Sequence, residues 1–213
     1  MKKSVVSTIK AAVLVSIVMI IICGPSYPLV VTGLSKLIFN RQASGNLIYV
    51  DGVAVGSRLV GQEFTEPYFL HGRPSSVGYN TYTEAELADG TYGGVSSGSN
   101  NYGASNPDLI ARVKGDLEAF LAENPDVKAE EVPTDLLTAS GSGLDPDISP
   151  ESALVQVPRI AKASGLSEDT VKAIIEKNTS GKILGIFGQD RVNMLCTNLD
   201  IAVEMGLIDG YDK

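Results

Sequence analysis

The one histidine of the chain lies in His71-Gly72-Arg73-Pro74-Ser75, and serine is abundant, so the first chemistry to weigh is acyl transfer by a serine, a histidine and an acid. His71 would have to recruit a serine such as Ser140 or Ser142 and one of many carboxylates, and no G-x-S-x-G elbow supports that set. The plainer reading is a surface or capping histidine beside a turn. Arg73, next to a proline, reads either as an ionic anchor for a partner or as a turn-stabilising group. A second chemistry is anion binding in the segment 138–150, where Ser140, Gly141, Ser142 and Gly143 let backbone N–H groups converge ahead of a helix start. Against a phosphate there, the segment holds no Lys or Arg and carries Asp145 and Asp147. The G-x-x-x-x-G-K-[ST] loop of NTPases is absent. Asp145 and Asp147 have too few companion acids for a dedicated calcium loop, so an Asx turn leading into a capped helix is expected. Ser96 to Asn101, which includes Asn100, reads either as a flexible loop or as a hydrogen-bonding contact surface.

The elements that must position these groups follow from local patterns. Leu47 to Val50, Asp51-Gly52 and Val53 to Val55 predict a hairpin, because Asp-Gly accepts the positive φ values of a type I′ turn. From Gly72 to Asn106 the chain is crowded with Gly, Ser, Asn and Tyr and reads as one long loop. Asn106-Pro107 starts a helix with Leu109, Val113, Leu117, Phe120 and Leu121 on one face, ended by Asn124-Pro125. Ser149-Pro150-Glu151 starts a second helix that Pro158 bends or interrupts and Gly165 caps. Ser167 starts a third, with Glu168 and Asp169 suited to its positive end. Asp190 is the expected cap of a final helix bearing Val192, Leu195, Cys196, Leu199 and Val203, and Ile183 to Phe187 before it reads as a short strand. Strands early and helices late make the domain α+β.

Ahead of this domain, Ala11 to Ser35 carries no formal charge, which as a helix is roughly 37 Å, enough to cross a bilayer core of about 30 Å. The chain therefore reads as residues 1–10 in the cytoplasm, a transmembrane helix over 11–35, and a single mixed extracytoplasmic domain over 36–213. Lys2, Lys3, Lys10 and the N-terminal amine set that direction against Lys36 and Arg41. Two competing readings are a cleaved signal with Ala11 to Ile22 as its apolar region, which lacks an A-x-A site, and a lipoprotein signal at Cys23, which bulky Ile22 opposes. Pro25 and Pro28 predict a kink, and Ala12 and Ser16, small residues one turn apart, suit close approach of another membrane helix. Beyond residue 10 the chain holds 14 basic and 25 acidic residues, a net charge of −11, which excludes binding of nucleic acid or anionic lipid through bulk electrostatics. Cys23 falls in the span and Cys196 on an apolar helix face, so no intramolecular disulfide is expected.

Several segments together resemble the KdpC family, the small single-span subunits of Kdp potassium-transporting P-type ATPases. The resemblance rests on Tyr27-Pro28-Leu29 with Thr32-Gly33, on 42–48, on Val55 to Gln62, and on Gly72-Arg73-Pro74-Ser75, Tyr79-Asn80 and Ser97 to Asn100. Its densest part is Asp135 to Pro150, similar to an ASGSGLDP-x-ISP signature, followed by Gln156, Arg159 and Arg191-Val192-Asn193. It implies an accessory membrane subunit with no catalytic residue of its own, partnered by a potassium-channel-like subunit, an ATP-hydrolysing subunit and membrane lipid. It further implies a catalytic-chaperone role toward the ATP-hydrolysing subunit, with ATP admitted as a ligand, for which Ser140 to Gly143 are the candidate residues. The alternative is an outer-face domain that gates or funnels potassium without binding nucleotide. Ala12, Ser16, Tyr27, Arg73, Asn100 and Asp145 are the subunit-contact candidates, and a membrane-anchored hydrolase using His71 is the reading from another class.

Overall fold

A computed structural model describes residues 4–212, and the chain forms two units, one ending at Asn46 and one beginning at Leu47. The orientation argument drawn from Lys2 and Lys3 lies outside the described residues. In the first unit a helical path of 34 residues runs over Val5–Ile38 with no buried residue, and its most apolar 18-residue stretch has a mean hydropathy of 2.6, long and apolar enough to cross a membrane. It comprises α1 (Val5–Ile21), a π-type turn over Ile22–Ser26 and α2 (Tyr27–Ile38). The prolines are absorbed rather than allowed to break the path: Pro25 sits in the wider π turn and Pro28 in the first turn of α2, where its missing donor leaves the fewest carbonyls unpaired. A short helix, α3 (Asn40–Ala43), follows.

The second unit opens with the hairpin of β1 (Leu47–Val50) and β2 (Val53–Ser57), antiparallel, with a register shift between Ile48 and Tyr49. Asp51 and Gly52 have φ of 50° and 77°, the type I′ conformation expected of Asp-Gly. The long region that follows is not all loop. Thr83 and Glu86 form a reciprocal capping box that starts α4 (Glu84–Asp89), and the T-x-x-E spacing was its overlooked signal. Next come α5 (Pro107–Glu123), capped by Asn106, and β3 (Asp147–Ile148). The helix entered at Ser149 divides into α6 (Pro150–Leu154) and α7 (Val157–Ser164), because Pro158 can enter only in a first turn. Gly165, φ 76°, ends α7, and Ser167 caps α8 (Glu168–Lys177). β4 (Thr179–Ser180), β5 (Arg191–Asn193) and α9 (Met194–Glu204) complete the unit.

Two expectations fail near the end. Residues 191–193 are taken up as the central strand of an antiparallel β3-β5-β4 sheet, so the final helix starts later and its cap is Asn193, whose Oδ1 accepts the Cys196 N–H at 3.2 Å, not Asp190. Ile183 to Phe187 closes on itself as a tight turn rather than extending as a strand.

The main core joins Ile148, Ala153, Val157 and Ile160 to Val171, Ile174, Ile175, Val192, Met194, Ile201 and Leu70. A smaller cluster sets Ile48 against Leu195 and Cys196. α9 is the pillar between them, buried over most of its circumference, which obliges its polar residues to find partners inside. Asn198 receives the Leu70 N–H at 2.7 Å and donates to the Leu70 carbonyl at 3.0 Å, pairing with that backbone as a strand would. Asp200 accepts from Asn178 at 2.7 Å, Tyr211 at 2.9 Å and Lys177 at 3.1 Å. Burial raises the Asp200 carboxyl, but those donors outweigh it and hold it below the usual range. Cys196 is buried and Cys23 exposed on the apolar helix.

Candidate functional site

The segment 135–150 is a hub to which four separate parts of the second unit are fastened. Asp135 accepts from Ser149 N–H at 2.9 Å, from Ser149 Oγ at 3.2 Å and from Ser152 Oγ, so one carboxylate fixes the start of α6. Ser75 Oγ donates to the Gly143 carbonyl at 2.6 Å, and the Gly143 N–H donates to Ser97 O at 3.1 Å. Gly61 N–H reaches Leu144 O at 2.8 Å, and Met194 N–H reaches Pro146 O at 3.0 Å. Asp145 Oδ1 accepts the Asp147 N–H at 3.1 Å, the Asx geometry expected of that pair. Asp147 is then held by Asn193 Nδ2 at 3.0 Å and Arg191 Nε at 3.1 Å.

Close packing makes glycine necessary at two points of the hub. A Cβ on Gly143 would lie 2.5 Å from Val77 Cγ2 and 3.0 Å from Gly98 O, and one on Gly61 would collide with the Asp145 carbonyl and Tyr79. Gly141, by contrast, has open space around it. Arg73 takes the turn-stabilising role: its guanidinium reaches Thr138 O at 3.3 and 3.4 Å and Asp145 Oδ2 at 3.4 Å. Tyr79 donates to Arg73 O at 2.8 Å, and burial, reinforced by the Asp145 charge, pushes its phenol up to about 12, so it remains a neutral donor.

His71 is paired elsewhere than expected of a nucleophile's base. Its Nδ1 lies 3.2 Å from Glu123 Oε2 and its Nε2 3.0 Å from Glu66 O, so both ring nitrogens face acceptors and neither faces a serine. Ser140 Oγ and Ser142 Oγ instead accept backbone N–H groups of their own loop, at 3.5 and 3.2 Å. Burial, with the Arg159 charge adding to it, lowers the His71 pKa from 6.5, against the opposing pull of Glu66 and Glu123. The residues that position His71 are Gln156 and Arg159, whose full role only the fold reveals. Gln156 accepts the His71 N–H at 2.9 Å and returns a bond to its carbonyl at 3.1 Å. Arg159 donates to Gln156 Oε1 at 2.6 Å, Pro67 O at 2.5 Å, Phe69 O at 3.1 Å and Asn124 Oδ1 at 3.1 Å. Every partner is neutral, and burial lowers the arginine to about 10. A polar residue inside the apolar stripe of α7 is the signal that could have marked it.

Ser142 and Gly143 are engaged in the hub's own bonds and line neither cleft described below, and the other candidate residues fall into three groups. Ser140, Gly141 and Asn100 line a cleft of about 290 Å³ with Asn101, Tyr102 and Arg112, the last bonded to Asp116 at 2.6 Å. Arg73 and Asp145 line a separate cleft of about 340 Å³ with Asp135, Asp147 and Arg191. Ala12, Ser16 and Tyr27 are exposed on the apolar helix of the first unit.

Comparison with known sequences places this architecture. The family described as "KdpC: K+-transporting ATPase, c chain" matches residues 9–203. A protein of Clostridioides difficile strain 630 named "Potassium-transporting ATPase KdpC subunit" is 57% identical over 206 residues, covering 94% of this chain and 99% of the relative. Proteins of the same name from Clostridium kluyveri and Caldanaerobacter subterraneus are 53% and 44% identical, over 94% and 92% of this chain and 96% and 95% of their own lengths.

Proposed function

The chain belongs to the KdpC family, and from that membership we propose that it is an accessory, non-catalytic subunit of a potassium-transporting P-type ATPase, anchored by its apolar helix and stabilising the assembly. The observation that carries this reading is the commitment of the 135–150 signature to internal bonds. Gly143, Leu144 and Pro146 carbonyls, the Asp135 and Asp145 carboxylates and the Arg73 fork all hold the unit together rather than facing a substrate. Such a hub yields a rigid body, which suits bracing a neighbour. Its partners are the potassium-channel-like and ATP-hydrolysing subunits, and it assists the latter through the assembly rather than through a reacting group of its own. Packing of the apolar helix against partner helices uses Ala12 and Ser16. The charge asymmetry across that helix supports an extracytoplasmic position for the second unit.

Deleting residues 1–35 is expected to abolish co-purification with both large subunits. An intact, active complex after that deletion would overturn the anchor role. Topology is read from Ser97→Cys, an exposed position, since Cys196 is buried and Cys23 is replaced. Labelling of intact cells by an impermeant maleimide is expected without lysis.

A second reading is supported by Ser140 and Gly141, which line the 290 Å³ cleft with the Arg112 guanidinium. There a nucleotide's phosphates would meet a cation that the segment itself lacks. Millimolar ATP would then protect 139–142 from hydrogen exchange, and labelling of Ser97→Cys only after lysis would make this reading the leading one.

A further inference from the structure

Between β4 and β5 the chain projects a turn that no core accounts for. Ile183, Leu184, Ile186 and Phe187 are 67, 84, 75 and 63% exposed and belong to neither apolar cluster. The turn is built, not slack: Ile183 N–H donates to Phe187 O at 2.8 Å and Phe187 N–H returns to Ile183 O at 3.0 Å. Leu184 and Gly185 have φ of 54° and 72°, a type I′ pair. Asn or Gly is the usual first residue of such a turn, because a branched L side chain in the left-handed region is strained. Here that position carries leucine, the most exposed side chain of the tip. The backbone strain is accepted at the point where an apolar group protrudes furthest.

We infer that Ile183, Leu184, Ile186 and Phe187 form a membrane-contacting tip that enters the boundary between headgroups and acyl chains of the bilayer holding the chain's own apolar helix. The inference rests on that helix lying in a bilayer, and three observations select lipid as the occupant. The tip presents roughly 600 Å², as large as the largest patches on soluble monomers but short of the ~800 Å² per partner that a stable dimer needs, so a second copy would not be held. It is a convex projection, which a fluid bilayer accepts without a complementary groove. Only residues 39–46 separate the end of α2 from the second unit, so the bilayer is always at high effective concentration and a small patch suffices as a second anchor. Exposed Lys182 at the base of the turn supplies an ammonium for lipid phosphates while its stem lies along the apolar boundary.

The chain contains no tryptophan, so Phe187→Trp gives the full-length protein a single emitter at the tip. In vesicles of phosphatidylcholine and phosphatidylglycerol with brominated acyl chains, Trp at 187 is expected to be quenched about threefold relative to unbrominated lipid. Tyr82→Trp, exposed but outside the tip, should show no quenching, and adding Leu184→Asp should reduce the signal at 187 toward that control. Ile20→Trp reports the apolar helix in the same vesicles. Quenching at 20 without quenching at 187 overturns the tip alone; no quenching at 20 overturns the membrane reading on which it rests. In the assembled complex, a photoreactive side chain at 184 is expected to label lipid. An adduct with another subunit or a second copy would reassign the tip to a protein interface and overturn the inference.

Discussion

Replacing Gly143 with alanine separates a packed hub from an open ligand cradle. The new Cβ would lie 2.5 Å from Val77 Cγ2, 3.0 Å from Gly98 O and 3.2 Å from Ser75 Oγ, and two of those three atoms belong to backbone or a branched side chain that cannot swing away. Overpacking of this kind costs about 1–3 kcal/mol. Displacing Ser75 also endangers its 2.6 Å bond to the Gly143 carbonyl, worth about 1 kcal/mol. Alanine returns roughly 0.5 kcal/mol by restricting the unfolded chain. The net loss is about 1.5–3.5 kcal/mol, or about 3–14 °C in Tm for a domain of roughly 170 residues. Gly141→Ala is the matched control, since nothing lies within 4 Å of its Cβ. Thermal unfolding of the full chain in detergent, followed by circular dichroism, reads both. Equal Tm values for the two variants would refute the packing argument, and loss of ligand binding by Gly143→Ala at unchanged Tm would return the loop to the role of a cradle.

Three further outcomes follow from the same contacts. Arg159→Ala leaves Gln156, Asn124 and the 67–69 backbone without their shared donor and should cost about 3–5 kcal/mol in denaturant unfolding. Arg159→Lys should not restore it, because a single ammonium cannot reproduce the guanidinium fork, and full rescue would show that charge alone matters. The lowered His71 pKa means the folded state binds fewer protons there than the unfolded chain. Its stabilising contribution is whole above pH 6.5 and is lost as pH falls from 6.5 through the folded pKa. Urea unfolding across that range should therefore steepen in the native protein relative to His71→Gln, and parallel curves would contradict the assignment. Thr83→Ala removes the capping box of α4 and should cost about 0.5–2 kcal/mol, seen as faster hydrogen exchange over 84–89 with the α9 core unchanged. Equally faster exchange in both places would mean that α4 is integral to the core.

The apolar helix, the hairpin, the helix starts at Asn106, Ser149 and Ser167 and the stop at Gly165 were legible in the chain, because each depends on residues within about four positions of one another. The α4 start was legible by the same rule and was obscured by the Gly- and Ser-rich surroundings. The family resemblance was legible too, since a run such as 135–150 is written contiguously. What the fold alone decided involves distant partners. Leu70 and Asn198 meet across 128 positions, and Asp147 and Asn193 across 46. The claim of β5 on residues 191–193 moved the last cap from Asp190 to Asn193, an outcome no local pattern announces because the competing pairing comes from β3 and β4. His71 could be matched with any serine on paper, yet Gln156 and Arg159 turn it toward Glu123 and Glu66. Gly143 likewise reads as one member of a small-residue loop until Val77 and Gly98 are seen against it. Local chemistry specifies where elements begin and end; the choice among many chemically equivalent long-range partners is made only when the whole core closes and leaves one arrangement with its buried polar groups satisfied.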